Sequence, residues 1–163
     1  MKYTLKITDF ELDAQDFATV LYDFLWVDYN HFTIECPDEF EHLLVGECWE
    51  DQLANVLWNG GYLWVYNDEE CDSDKDAIDN VSEVLDVDHY EFDEDYEVYF
   101  PVYKLTRERV EEAFKQMIVN DSPQANEVHQ SFVEIFEDKE GNPDFYDSWN
   151  IFQFILLGEV VYG

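Results

Sequence analysis

Asp68-Glu69-Glu70-Cys71-Asp72-Ser73-Asp74-Lys75-Asp76-Ala77-Ile78-Asp79-Asn80-Val81-Ser82-Glu83-Val84-Leu85-Asp86-Val87-Asp88-His89-Tyr90-Glu91-Phe92-Asp93-Glu94-Asp95-Tyr96-Glu97 is the stretch on which the fold turns. Of its 30 residues 15 are carboxylates, and Lys75 is the only base. A charge run this dense is ordinarily a solvated, unstructured tail. Here apolar residues interrupt it with a period. Ile78, Val81, Val84 and Leu85 recur at helical spacing, which predicts a helix over Asp72 to Leu85. Tyr90 to Phe92 and Tyr96 to Leu105 read as a hairpin, with Asp93, Glu94 and Asp95 at its turn. Pro101 suits an edge strand or a bulge. The charge is therefore mounted on folded structure.

The rest of the composition agrees with a folded chain. It has 163 residues, 18% of them aromatic, from 13 Phe, 11 Tyr and 5 Trp. That length suits one acidic domain, residues 1–163, with a sub-boundary conceivable near residue 105 where strands give way to helices. The aromatic content supplies a core and argues against general disorder. The net charge of −32 is far beyond what solubility requires, and its self-repulsion opposes compaction. Salt-adapted proteins are also acidic and lysine-poor, but their cores are usually smaller and less aromatic. Lys and Arg total 8 and form no run, which excludes direct binding to nucleic acid or an anionic membrane. Cys36, Cys48 and Cys71 show no CxxC spacing. The opening Met1-Lys2-Tyr3-Thr4-Leu5-Lys6 has no signal-peptide pattern, and no apolar run approaches the ~20 residues of a membrane span. Free thiols in a reducing cytoplasm are expected.

The remaining periodicities predict an α+β fold: a small antiparallel sheet packed with helices, the second half mainly helical. Lys2 to Thr8 alternates as a strand. Thr8 with Glu11 fits a capping box, although Asp13 serves equally as a helix start. Phe17, Val20, Leu21 and Phe24 give an apolar helical face; Trp26 to Asn30 is ambiguous. Phe32 and Ile34 mark a strand over His31 to Cys36, stopped by Pro37. Glu39 to Val45 suits a helical turn. Trp49, Leu53, Val56 and Leu57 mark a helix over Glu47 to Trp58, closed by Gly60 and Gly61. Tyr62 to Tyr66 is a strand by content. Thr106 caps a helix with Val110, Ala113, Phe114, Met117 and Ile118 inward. Ser122 and Pro123 start another, with Val128, Phe132, Ile135 and Phe136 inward. Pro143 opens a last helix whose face is Phe145, Trp149, Phe152 and Leu156, closed by Gly158.

Catalytic signatures are absent: there is no GxSxG elbow, P-loop or GxGxxG, and paired carboxylates are too common here to be informative. No cofactor and no enzyme are expected. Asp72, Asp74, Asp76, Asn80 and Glu83 fall at positions of a calcium loop, but Ala77 stands where the loop needs glycine and Asp79 where it needs an apolar residue. His31, Cys36, His42 and Cys48 fit no zinc spacing; His89 and His129 are isolated.

Carboxylates on a rigid fold can imitate a phosphate ladder. Helix neighbours at i,i+4 lie about 5–6 Å apart, and alternate strand residues about 6.5 Å. That spacing predicts a helical row of Asp72, Asp76, Asp79, Glu83 and Asp86, continued on the hairpin by Glu91, Asp93, Asp95 and Glu97. The candidate partner-binding set is Asp68, Glu69, Glu70, Asp72, Asp74, Asp76, Asp79, Glu83, Asp86, Asp88, Glu91, Asp93, Glu94, Asp95 and Glu97. Asp9, Glu11, Asp13, Asp16, Glu108, Glu111 and Glu112 extend the field.

In size, charge, scarcity of Lys and Arg, and aromatic richness the whole chain resembles the acidic DNA-mimic inhibitors of phages and mobile elements, the anti-restriction and anti-CRISPR proteins. Asp147-Ser148-Trp149-Asn150 and the closing Gly158-Glu159-Val160-Val161-Tyr162-Gly163 also resemble the endings of small phage and plasmid proteins. The resemblance implies a non-enzymatic inhibitor occupying the basic groove of a defence nuclease or another nucleic-acid-binding protein in a bacterial cytoplasm. An immunity protein against a basic toxin, or a calcium-binding acidic module, is the alternative expectation.

Overall fold

The computed structural model of the chain describes residues 13–24, 32–68, 71–74, 87–119, 122–136 and 145–160. The predicted strand Lys2 to Thr8, the Thr8–Glu11 box, the ambiguous Trp26 to Asn30 and Pro143 lie outside them. So does the predicted helix beyond Asp74.

Helix α1 (Ala14–Phe24) starts at Asp13. Asp13 Oδ1 accepts the Asp16 N–H at 3.0 Å, and the Asp13 N–H donates to Asp16 Oδ2 at 3.0 Å. This is a reciprocal capping box made of two aspartates. Phe17, Val20 and Leu21 are fully buried one helical turn apart. Strand β1 (Phe32–Glu35) follows, and Pro37 precedes a 3₁₀ turn over Asp38–Leu43. Helix α2 (Trp49–Trp58) buries Leu53, Val56 and Leu57. Trp49 departs from the predicted face: it is 41% exposed. At the far end the Gly61 N–H bonds the Val56 carbonyl at 2.9 Å and the Gly60 N–H that of Leu57 at 3.4 Å. Gly60 has φ +89, the left-handed residue that this Schellman closure requires.

Strands β1, β2 (Leu63–Asn67), β3 (His89–Asp93) and β4 (Val98–Leu105) form one antiparallel sheet in the order β1-β2-β4-β3. The hairpin is the β3–β4 pair, with Asp93 opposite Val98. Two expectations are corrected here. Asp72 does not begin a helix. It bridges Tyr99 on β4, its N–H donating at 2.9 Å and its carbonyl accepting at 2.7 Å. Pro101 is in an inner strand, not at an edge or bulge. The β2–β4 register ends at Tyr66 opposite Val102, and Asp72 resumes at Tyr99. Backbone groups alternate sides along a strand, so the Pro101 nitrogen faces the gap between those two pairings and no ladder bond is lost.

Three more helices are described: α3 (Arg107–Val119), α4 (Pro123–Phe136) and α5 (Phe145–Leu157). Thr106 Oγ1 accepts the Arg109 N–H at 3.2 Å, and Ser122 Oγ accepts the Ala125 N–H at 3.0 Å, so both predicted caps form. Phe114 meets Phe132 and Phe136 edge-on between α3 and α4, and the latter two rings tilt against each other, at centroid distances of 5.0–5.8 Å. The last helix is not amphipathic as predicted. Trp149 and every residue from Ile151 to Leu157 are buried. It is the central helix, buried all round from Ile151 to Leu157 because α1, α3 and α4 pack on it and β1 meets it through Phe32, whose ring lies 5.5 Å from Trp149 and 5.6 Å from Phe152. Its first turn stays open, with Tyr146 exposed.

The result is an α+β fold in which the described helices pack on one face of the sheet. The core runs from Phe17 to Leu157 and draws on both sides of Thr106. Each fully buried Phe or Leu contributes about 1.5–3 kcal/mol, which offsets the repulsion among the carboxylates. Among the described residues no helix is long and apolar enough to cross a membrane.

Candidate functional site

Two features lie on the sheet: the acidic hairpin tip and the face turned away from the described helices. At the tip, Asp93 ends β3 and Oδ1 of its side chain accepts the N–H groups of Asp95 at 2.9 Å and Tyr96 at 3.1 Å. Such an Asx turn fixes the loop backbone. Glu97 completes it at φ +52, a left-handed conformation. Around this fixed backbone Glu94, Asp95 and Glu97 are exposed, and Tyr96 stands between them at 80% exposure.

The other candidate acids are more scattered. Asp68 is exposed and accepts the Thr33 hydroxyl at 3.1 Å. Asp72 and Asp74 are exposed, with the Asp74 N–H bonded to Asp72 Oδ1 at 2.8 Å. Asp88 accepts from or is paired with His89 Nδ1 at 2.9 Å, and Glu91 Oε1 lies 3.3 Å from His89 Nε2. Glu69, Glu70, Asp76, Asp79, Glu83 and Asp86 lie outside the described residues. The regular ladder is not what the described residues form. Asp72 belongs to a bridge, so it cannot start a helical row. Glu91 and Asp93 share a strand, but Asp95 and Glu97 are in the turn, which breaks the two-residue alternation.

The outward face of the sheet was missed by the sequence reasoning. Cross-strand pairing puts Glu35, Trp64, Tyr66, His89, Glu91, Phe100, Val102 and Lys104 on it. Trp64 on β2 meets His89 on β3 edge-on at 4.9 Å, and the Tyr66 hydroxyl reaches Glu91 Oε1 at 3.4 Å. Both reach over β4, and Val102 beneath them is fully buried. Tyr66 and Phe100 pack at 5.7 Å. Along one border Phe40, Tyr62 and Trp64 continue the rings at 5.0 and 4.9 Å. The Tyr62 hydroxyl donates to Glu39 at 3.1 Å, and Lys104 Nζ sits 4.2 Å from the Tyr62 ring centre. The signal was present in Leu63 to Asn67, where the residues between the core positions are Trp64 and Tyr66. Aromatic residues on both faces of a strand mean that neither face is simply solvated.

Burial, then the Glu35 and Glu91 carboxylates, hold the Tyr66 phenol well above the ordinary tyrosine range. Tyr62 is shifted the same way by desolvation, Glu39 and Asp88. A negative environment disfavours a second negative charge.

The three cysteines are free thiols. Burial, then Glu41 and Asp38, raises the Cys36 pKa, while a hydrogen bond to Glu50 leads the rise for Cys48. Among the described residues no group of three or more His, Cys, Asp or Glu is placed to hold a metal. An open cleft of about 420 Å³ is lined by Val87, Asp88, Lys104, Thr106 and Arg109. Its polar groups already have structural work: Thr106 caps α3, and Arg109 donates to the carbonyls of Ile155 and Leu156.

No protein-family model matches the chain, and neither curated proteins nor solved structures provide a significant match.

Proposed function

We propose that the protein is a non-enzymatic inhibitor whose folded anionic surface takes the place of nucleic-acid phosphates in the basic groove of a defence nuclease or another nucleic-acid-binding protein. The action is of the anti-CRISPR or anti-restriction type, in a bacterial cytoplasm and from a phage or mobile element. The observation that carries it is the β3–β4 turn. Three exposed carboxylates, Glu94, Asp95 and Glu97, are held on a backbone pinned by Asp93, within a chain of net charge −32. Preorganised charge binds without first paying to order itself, and charge of this density steers a basic partner at long range.

The test is capture from bacterial lysate on the immobilised protein at low and high salt, with and without duplex DNA. A basic nucleic-acid-binding protein held at low salt and displaced by DNA supports the proposal. A Glu94→Gln/Asp95→Asn/Glu97→Gln variant should hold it less well. A captured toxin that DNA does not displace would replace this function by that of an immunity protein. Absence of any basic partner at either salt concentration would refute both.

A further inference from the structure

We infer that the outward face of the sheet is an arginine-reading surface, its occupant an arginine-bearing segment of the basic partner; this rests on the proposed function and names where that partner is recognised. Charge complementarity selects the occupant. Tyr66 and Phe100 are half-buried rings in contact on this face, and Glu35 on β1 and Glu91 on β3, across β4, stand beside Tyr66. A ring next to a carboxylate matches a guanidinium, which stacks on the one and forks onto the other. An ammonium is a strongly hydrated point charge and gains less from the ring plane.

The chain shows this chemistry on the same face. Lys104 sits over the Tyr62 ring at 4.2 Å, and the Tyr62 hydroxyl is bonded to Glu39. A second copy of the chain is a poor occupant, since two bodies of charge −32 repel. A nucleic acid is excluded for the same reason. The rings are also set before binding: Trp64 and Tyr66 lie across β4 over Val102. Little ordering is then needed when a cation arrives.

The probes are capped tri-arginine and tri-lysine peptides, titrated into the isotope-labelled protein and followed by amide and aromatic NMR shifts. The expected result is tri-arginine binding on the order of 10-fold tighter than tri-lysine, with the largest shifts at Tyr66, Phe100 and Glu91. Glu35→Gln with Glu91→Gln should abolish that preference, and both changes keep side-chain shape, so an otherwise unchanged spectrum reports an intact fold. The Glu94→Gln/Asp95→Asn/Glu97→Gln variant should weaken both peptides equally and leave the preference. Equal affinity for the two peptides, or a preference that survives Glu35→Gln with Glu91→Gln, would overturn the arginine-reading face and leave the proposed inhibitor intact. Binding of neither peptide at low salt would overturn both.

Discussion

Arg109 on α3 donates its Nη2 to the carbonyl of Leu156 at the end of α5, and its Nε to that of Ile155 at 3.2 Å. The last carbonyls of a helix have no intrahelical partner, and a cation at that end also suits the helix dipole. In a chain with so few bases, one is spent inside the fold. Arg109→Met should therefore destabilise the protein by about 2 kcal/mol, the usual worth of charged hydrogen bonds. Arg109→Lys should recover part of this. Urea denaturation measures both, and a loss for Arg109→Met below about 0.5 kcal/mol would show that water replaces the cap.

Tyr66 makes a prediction in alkali. Its folded-state pKa is raised, so the folded chain keeps the phenolic proton longer than the unfolded chain does. The associated stability is fully present below the unfolded value of about 10 and is lost as pH rises through the raised folded value. Difference absorbance should show a late-titrating phenol component that is reduced by one tyrosine in Tyr66→Phe. Above about pH 10 the wild type should lose stability relative to that variant. If Tyr66 ionises with the exposed tyrosines, the proximity of Glu35 and Glu91 is not felt.

Adjacent glycines at the end of α2 should respond differently to alanine. A Cβ on Gly61 would lie 2.7 Å from Val56 Cγ1 and 3.1 Å from Phe40 Cγ, whereas a Cβ on Gly60 meets nothing within 4 Å. Gly60→Ala carries only the left-handed strain, about 1–2 kcal/mol. Gly61→Ala forces packed groups apart, at about 1–3 kcal/mol and with a disturbed 3₁₀ turn. The readout is chemical denaturation together with the ring signals of Phe40, which should move for Gly61→Ala alone.

Phe114 is 1% exposed and packs against Phe132 and Phe136. Phe114→Ala should cost about 3–5 kcal/mol. A smaller loss would mean that α3 and α4 collapse onto the vacated space, which thermal unfolding and near-ultraviolet dichroism would reveal.

The aspartate capping box makes stability depend on acid. Burial raises the Asp16 pKa, and the charge of Asp13 adds to this against the Asp13 backbone bond. A raised folded value means that the contribution is fully present below the unfolded value near 3.9 and lost as pH rises through the folded value. Asp16→Asn keeps an acceptor for the Asp13 N–H and removes the like charge. It should be the more stable protein at neutral pH, with the gap closing at about pH 3.5. Urea midpoints at the two pH values test it; a gap independent of pH would assign the effect to something other than charge.

Local signals made much of the fold legible. Thr106, Ser122-Pro123 and Gly60-Gly61 work through bonds within one helical turn, so their positions suffice. The hairpin was readable because its turn chemistry lies in four consecutive residues. What was hidden is non-local. Asp72 reads as a helix start from its neighbours, yet its bridge is to Tyr99. Pro101 reads as an edge residue, yet Asp72 and Tyr66 flank the gap that accommodates it. Trp149, Phe152 and Leu156 suggest one apolar face, and the all-round burial was signalled only by the nearly unbroken apolar run Ile151-Phe152-Gln153-Phe154-Ile155-Leu156-Leu157, which does not say which helices enclose it. Of the candidate site, the acids at the tip were visible as charge. The aromatic face was not, because Trp64, His89 and Phe100 come together only through the β2-β4-β3 order.

The placement of α5 also bears on synthesis. It leaves the ribosome after every other described element, yet α1, α3 and α4 bury their apolar sides against it. Closure of the core therefore waits for residues 145–157, and until then a nascent chain rich in Phe, Tyr and Trp carries uncovered hydrophobic surface. The same carboxylates that oppose compaction keep such chains from adhering to one another. The charge thus acts before there is a fold to display it, as a built-in safeguard against aggregation.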